Sequence, residues 1–79
     1  RGSSIEVKNY NLEKSSGQNN LVSNVTKQIE QRKTHLPEGT KQTIIIDVRG
    51  QNVSNETLKI VRDRIQKKSS VDVLIMFKR

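Results

Sequence analysis

The chain has 79 residues, only 30% of them hydrophobic, and 15 Lys and Arg stand against 8 Asp and Glu for a formal charge of +7. That bounds it to one small domain with a thin core, and the charge favours a polyanionic partner: nucleic acid, an anionic membrane or an acidic protein. The absence of cysteine excludes disulfides, thiolate metal sites and thiol redox chemistry, no apolar run is long enough to span a bilayer, and with Tyr10 and Phe77 as the sole aromatics base stacking cannot be the main recognition device.

Residues 5–10, Ile5-Glu6-Val7-Lys8-Asn9-Tyr10, read as a first strand, with Glu6 and Lys8 on one face. Only Arg1-Gly2-Ser3-Ser4 precedes it, from which the chain is expected to be the later part of something longer. Asn11 to Asn20, with Ser15-Ser16-Gly17 inside, reads as a polar loop. A helix is expected next, capped by Asn19 or Asn20. Val22, Val25, Ile29 and Leu36 form its apolar stripe, and Asn24, Lys27, Gln28 and Gln31 line the polar face beside it. Pro37 and Gly39 end it.

The run Ile44-Ile45-Ile46-Asp47-Val48 between Gly39 and Gly50 predicts a central strand covered on both faces. A second helix follows, with Ser54 as its N-cap, Glu56 in its first turn and Val53 and Leu58 placed as a hydrophobic staple. Leu58, Val61 and Ile65 are its buried stripe, and Lys67 and Lys68 complement its C-terminal dipole. Val71 to Phe77 is the last strand. The expected fold is a small two-layer or three-layer β-α-β-α-β domain spanning residues 1–79, its sheet mostly parallel with right-handed crossovers. A three-stranded sheet has two open edges, and upstream chain or a partner is expected to cover one.

Four groups of side chains could carry chemistry. Glu6 and Lys8 offer a carboxylate and an ammonium on one strand face. Phosphodiester hydrolysis can use such a pair, the acid to hold Mg2+ or Mn2+ and the ammonium to stabilise the pentavalent charge. The alternative is a surface ion pair worth under about 1 kcal/mol. Asp47 and Arg49 lie at the carboxyl end of the central strand, where open parallel sheets place their sites. They serve either catalysis or a structural pair shaping the turn at Gly50. His35 is the sole histidine and the candidate general base of a metal-free ribonuclease; the alternative is an inert loop residue. Lys27, Arg32 and Lys33 on the first helix, with Lys59, Arg62, Lys67 and Lys68 on the second, are phosphate-contact candidates or else a solvated helix face.

The stretch Ile5 to Tyr10, followed by a helix bearing Gln28 and Gln31 and then a parallel strand, resembles the later half of a PD-(D/E)xK nuclease core. The segments Leu36 to Gln42 and Asp47 to Gln51 are similar to C-terminal toxin domains of bacterial contact-dependent growth inhibition (CdiA-type) proteins. The resemblance implies that Glu6 is a metal-binding acid, Lys8 the catalytic lysine, and Gln28 a residue that supports the metal ligands or touches substrate. It further implies a tRNase delivered as part of a secreted or cell-surface effector, acting in the cytoplasm of the target bacterium and neutralised by a cognate immunity protein. Some similar toxins dock on elongation factor Tu. The family's other acid lies on a strand before Glu6, and this chain has none there. A metal-free route through the ribose 2′-hydroxyl, with His35 or Lys8 moving protons, therefore stays open. So do a DNase of the same class and a non-catalytic basic binding module.

Overall fold

The β-branched run at 44–46 forms the middle of a three-stranded sheet. The computed structural model describes residues 2–69 and 73–79. They form β1 (Gly2–Val7), α1 (Ser15–Lys33), β2 (Lys41–Asp47), α2 (Asn55–Lys68) and β3 (Val73–Lys78). The sheet order is β1-β2-β3 and both pairings are parallel. No helix among the described residues is long and apolar enough to cross a membrane.

This strand order determines where the helices lie. Both crossovers step the same way across the sheet, and right-handed connections then place α1 and α2 on one face. They pack against each other as well as on the sheet. The domain therefore has two layers. The sequence expectation that β2 is covered on both faces is corrected: its exposure alternates, with Gln42, Ile44 and Ile46 buried and Thr43, Ile45 and Asp47 only half-buried. In register, Ile5–Ile44–Ile75 and Val7–Ile46–Phe77 face the helices, while Ser4–Thr43–Leu74 and Glu6–Ile45–Met76 face away.

The core lies between the helices and the first of these faces. Leu21, Val22, Val25 and Ile29 of α1 and Leu58, Val61 and Ile65 of α2 pack over Val7, Ile44, Ile46, Val73 and Ile75. Each such side chain contributes roughly 1.5–3 kcal/mol of burial, so nearly all of the stabilising apolar area sits on one side of the sheet. Ser54 caps α2, accepting a hydrogen bond from Thr57 N at 3.2 Å. Val53 and Leu58 are both buried as the staple requires.

Three boundaries differ from the sequence reading. β1 begins at Gly2, because pairing with β2 starts at Gly2–Lys41. It ends at Val7, because Asn9 turns the chain in the left-handed region at φ 71°. Lys8 to Tyr10 therefore lie beyond the strand. α1 begins at Ser15, not at Asn19 or Asn20, and it follows Lys14, which makes no side-chain cap. The early start is held by tertiary contacts. Gln51 Oε1 accepts from Leu12 N at 2.8 Å, Gln51 Nε2 donates to Tyr10 O at 2.7 Å, and Gln18 Nε2 donates to Leu12 O at 2.8 Å. Leu12 is fully buried beneath this network. Gly17 is required there, since a Cβ would overlap the Asn11 carbonyl oxygen. α1 ends at Lys33, leaving Leu36 half-buried in the following loop. The expected start of the last strand at Val71 and Asp72 lies outside the described residues.

Candidate functional site

Glu6 is the penultimate residue of β1, and the strand alternation aims it away from the helices. Asp47 is the last residue of β2, one same-face step beyond Ile45, the register partner of Glu6. Lys78 is the last residue of β3 and the register partner of Asp47. All three meet at the carboxyl edge of the sheet on its open face. Lys8 and Arg49 join them from the turns that leave β1 and β2.

The contacts knit these five residues together. Lys78 Nζ donates to Glu6 Oε2 at 2.6 Å, arching over β2 from β3 to β1. Lys8 Nζ lies 3.5 Å from Glu6 Oε1. Asp47 Oδ1 accepts from Arg49 N and Nε, both at 3.1 Å, and Oδ2 accepts from Arg49 Nη2 at 2.9 Å. This bidentate fork, closed by a backbone amide, is a strong form of carboxylate pairing. It holds the Asp47 carboxyl down to about 2, with the Lys78 charge helping, and it raises the Arg49 guanidinium in turn. The Lys78 hydrogen bond and charge, followed by Lys8, hold the Glu6 carboxyl below its ordinary range. Both acids are thus ionised at neutral pH. Three cations surround two carboxylates, so the cluster stays net positive.

The structure therefore brings together the two pairs singled out from sequence, Glu6/Lys8 and Asp47/Arg49, and adds Lys78, which sequence reasoning left unassigned. The signal for Lys78 was parity: it lies two residues after Met76 on a strand and so shares its face. Gln28 does not join them. It is exposed on α1, between the buried Val25 and Ile29, on the side of the molecule opposite Glu6. The helix-face geometry thus separates Gln28 from the Glu6/Lys8 pair.

His35 is exposed in the loop between α1 and β2, at the amino end of the sheet, a strand length of about 20 Å from the cluster. It lines an open surface cleft with Lys27 and Arg32. Arg32 is half-buried and its Nη2 donates to Ser3 Oγ, tying the end of α1 to the start of β1. Lys59 and Arg62 are on α2, away from the cluster's open face, and Arg62 pairs with Asp63 at 3.5 Å.

Glu6 and Asp47 are the carboxylates that could hold a divalent cation, and hard oxygen donors of that type suit Mg2+ or Mn2+. The pair as arranged is a poor fit. Among the described residues no three His, Cys, Asp or Glu side chains come together, and a cation would have to displace Lys78 from Glu6 and Arg49 from Asp47. Set against protein-family models, curated proteins and solved structures, the chain matches none.

Proposed function

We propose that this chain is a bacterial toxin ribonuclease that cleaves tRNA and is blocked by a cognate immunity protein. The observation that carries the reading is the convergence of Glu6, Lys8, Asp47, Arg49 and Lys78 at the carboxyl edge of a parallel sheet, in a domain of charge +7.

The chemistry follows from the unequal strength of the contacts. Arg49 is locked to Asp47 by three hydrogen bonds, and Lys78 holds Glu6 at 2.6 Å, so both are fixed in place. Lys8 is the looser cation, 3.5 Å from Glu6, and can turn toward a phosphate at the edge. A scissile phosphodiester seated there meets preorganised positive charge where the pentavalent state builds negative charge. Glu6 holds Lys78 in place and keeps Lys8 within reach of the edge. The nucleophile, water or the ribose 2′-hydroxyl, attacks the phosphorus as the bond to the leaving ribose oxygen breaks; its proton passes to solvent, and Lys8 protonates the leaving oxygen.

Incubating total tRNA with the purified protein tests this, with magnesium and with EDTA, followed by analysis of the product ends. Cleavage insensitive to EDTA that leaves 2′,3′-cyclic phosphates identifies the 2′-hydroxyl route. EDTA-sensitive cleavage without cyclic phosphates identifies hydrolysis by a metal-activated water. A basic module that binds RNA without cleaving it is the competing reading, favoured by the pairing of both carboxylates with cations. Binding without turnover under either condition would establish it and remove the nuclease.

A further inference from the structure

A second basic feature lies on the helix side of β3. Asn55, Leu58, Lys59 and Arg62 form one stripe along α2, spaced three and four residues apart. With Phe77 and Arg79 they line a cleft of about 320 Å³ at the outer edge of the sheet. Phe77 is half-buried, one side packed on the core and the remainder open to the cleft. Arg79 is pinned in the cleft wall, donating to Asn55 Oδ1 and, at 2.9 Å, to Val53 O. Lys59 is exposed, and Arg62 is held only loosely by Asp63.

We infer that this cleft is a nucleotide-binding subsite, taking a base or ribose against the Phe77 ring and the adjoining phosphate on Lys59, Arg62 and Arg79. Two features favour a nucleotide over a bare anion. An aromatic face lies beside cations, the combination that grips single-stranded nucleic acid, and the guanidinium of Arg79 is already held in place. The cleft and the edge cluster lie on opposite faces of the sheet and are linked through the end of β3. Lys78 reaches across the open face to Glu6, while Arg79 turns to the helix side. A single strand passing around the end of β3 meets both, with one nucleotide in the cleft and the next phosphates at Lys78, Arg49 and Lys8.

The inference rests on the nucleic-acid reading above but not on cleavage, and its test is independent of turnover. The labelled 79-residue chain is titrated by NMR with 5′-AMP and, separately, with inorganic phosphate. The expected result is that 5′-AMP shifts the Phe77 ring and the Asn55 and Leu58 amides, while phosphate leaves the ring unmoved. Ring resonances that stay in place with 5′-AMP, or that move equally with phosphate, overturn it.

Variants provide a second readout, the anisotropy of a labelled oligouridylate across a salt series. Replacing both Lys59 and Arg62 with Ala is expected to lower the log–log salt slope by about 0.7, the share of the one single-strand phosphate they neutralise. Phe77→Leu is expected to weaken binding on the order of tenfold with the slope unchanged. The double variant replaces one exposed and one half-buried side chain outside the apolar core, so a salt slope equal to wild type overturns the subsite even where Phe77→Leu fails to fold. Cleavage of tRNA with no 5′-AMP response at the cleft would overturn the subsite alone. A response at the cleft with no cleavage would overturn the nuclease alone.

Discussion

The two faces of this sheet are built from the same strands yet do different work. On the helix side, Ile44, Ile46 and Ile75 are all at most 6% exposed beneath α1 and α2. On the open side, Leu74 is 47% and Met76 50% exposed, and the strands end in the Glu6–Lys78 and Asp47–Arg49 pairs. Parallel sheets are ordinarily covered on both faces. Here the covered face supplies stability, and the bare face supplies a charged edge that a polyanion can reach. Changes to the core beneath the helices should therefore cost the most stability, and changes on the open face should cost far less.

The largest expected effect is on the helix side. Ile46→Ala should cost about 2–5 kcal/mol, a large share of the roughly 5–15 kcal/mol typical of a domain, measured as a fall in the urea midpoint at constant slope. Gly17→Ala should cost about 1–3 kcal/mol by forcing the first turn of α1 away from the Asn11 carbonyl. Thermal melting checks it, and an unchanged midpoint would show that this approach is not tight.

The open face should respond less. Asp47 has its carboxyl depressed from 3.8 to about 2, so its pairing stabilises the fold fully above pH 3.8 and is lost as pH falls through 2. Acid titration of wild type against Asp47→Asn should show that part of the acid sensitivity vanish in the variant. Met76→Ser should change stability by no more than about 0.5 kcal/mol. A larger loss in the urea midpoint would mean that the open face is packed, and the contrast between the two sides would fail.

Much of this was legible from the chain. The β-α-β-α-β order, the Ser54 cap, the Val53–Leu58 staple and the central position of Ile44-Ile45-Ile46 follow from local patterns. The start of α1 was not legible, because its first turn reads as loop-forming Ser, Gly and Asn. What holds it includes Gln51, 39 residues from the backbone group it pins at Leu12. The bare face was hidden because three consecutive isoleucines suit cover on two sides. The strand order β1-β2-β3, combined with right-handed crossovers, decides the matter, and no single segment records that order.

For the site, residue parity placed Glu6 and Lys8 together, but it could not show that Lys78 would reach Glu6 from two strands away. Helical spacing put Gln28 on a polar face but could not reveal that this face lies on the far side of the sheet from Glu6. Side-chain type located the pairs; only the sheet register joined them.

The most direct test compares the two sides in one assay: cleavage of total tRNA by Lys8→Ala and by Gln28→Ala, each first shown folded by circular dichroism. Removing the loosely held cation from the edge cluster should lower the rate by about 100-fold or more, while removing the exposed glutamine on the helix side should leave it unchanged. Loss of cleavage in Gln28→Ala with full activity in Lys8→Ala would contradict the account.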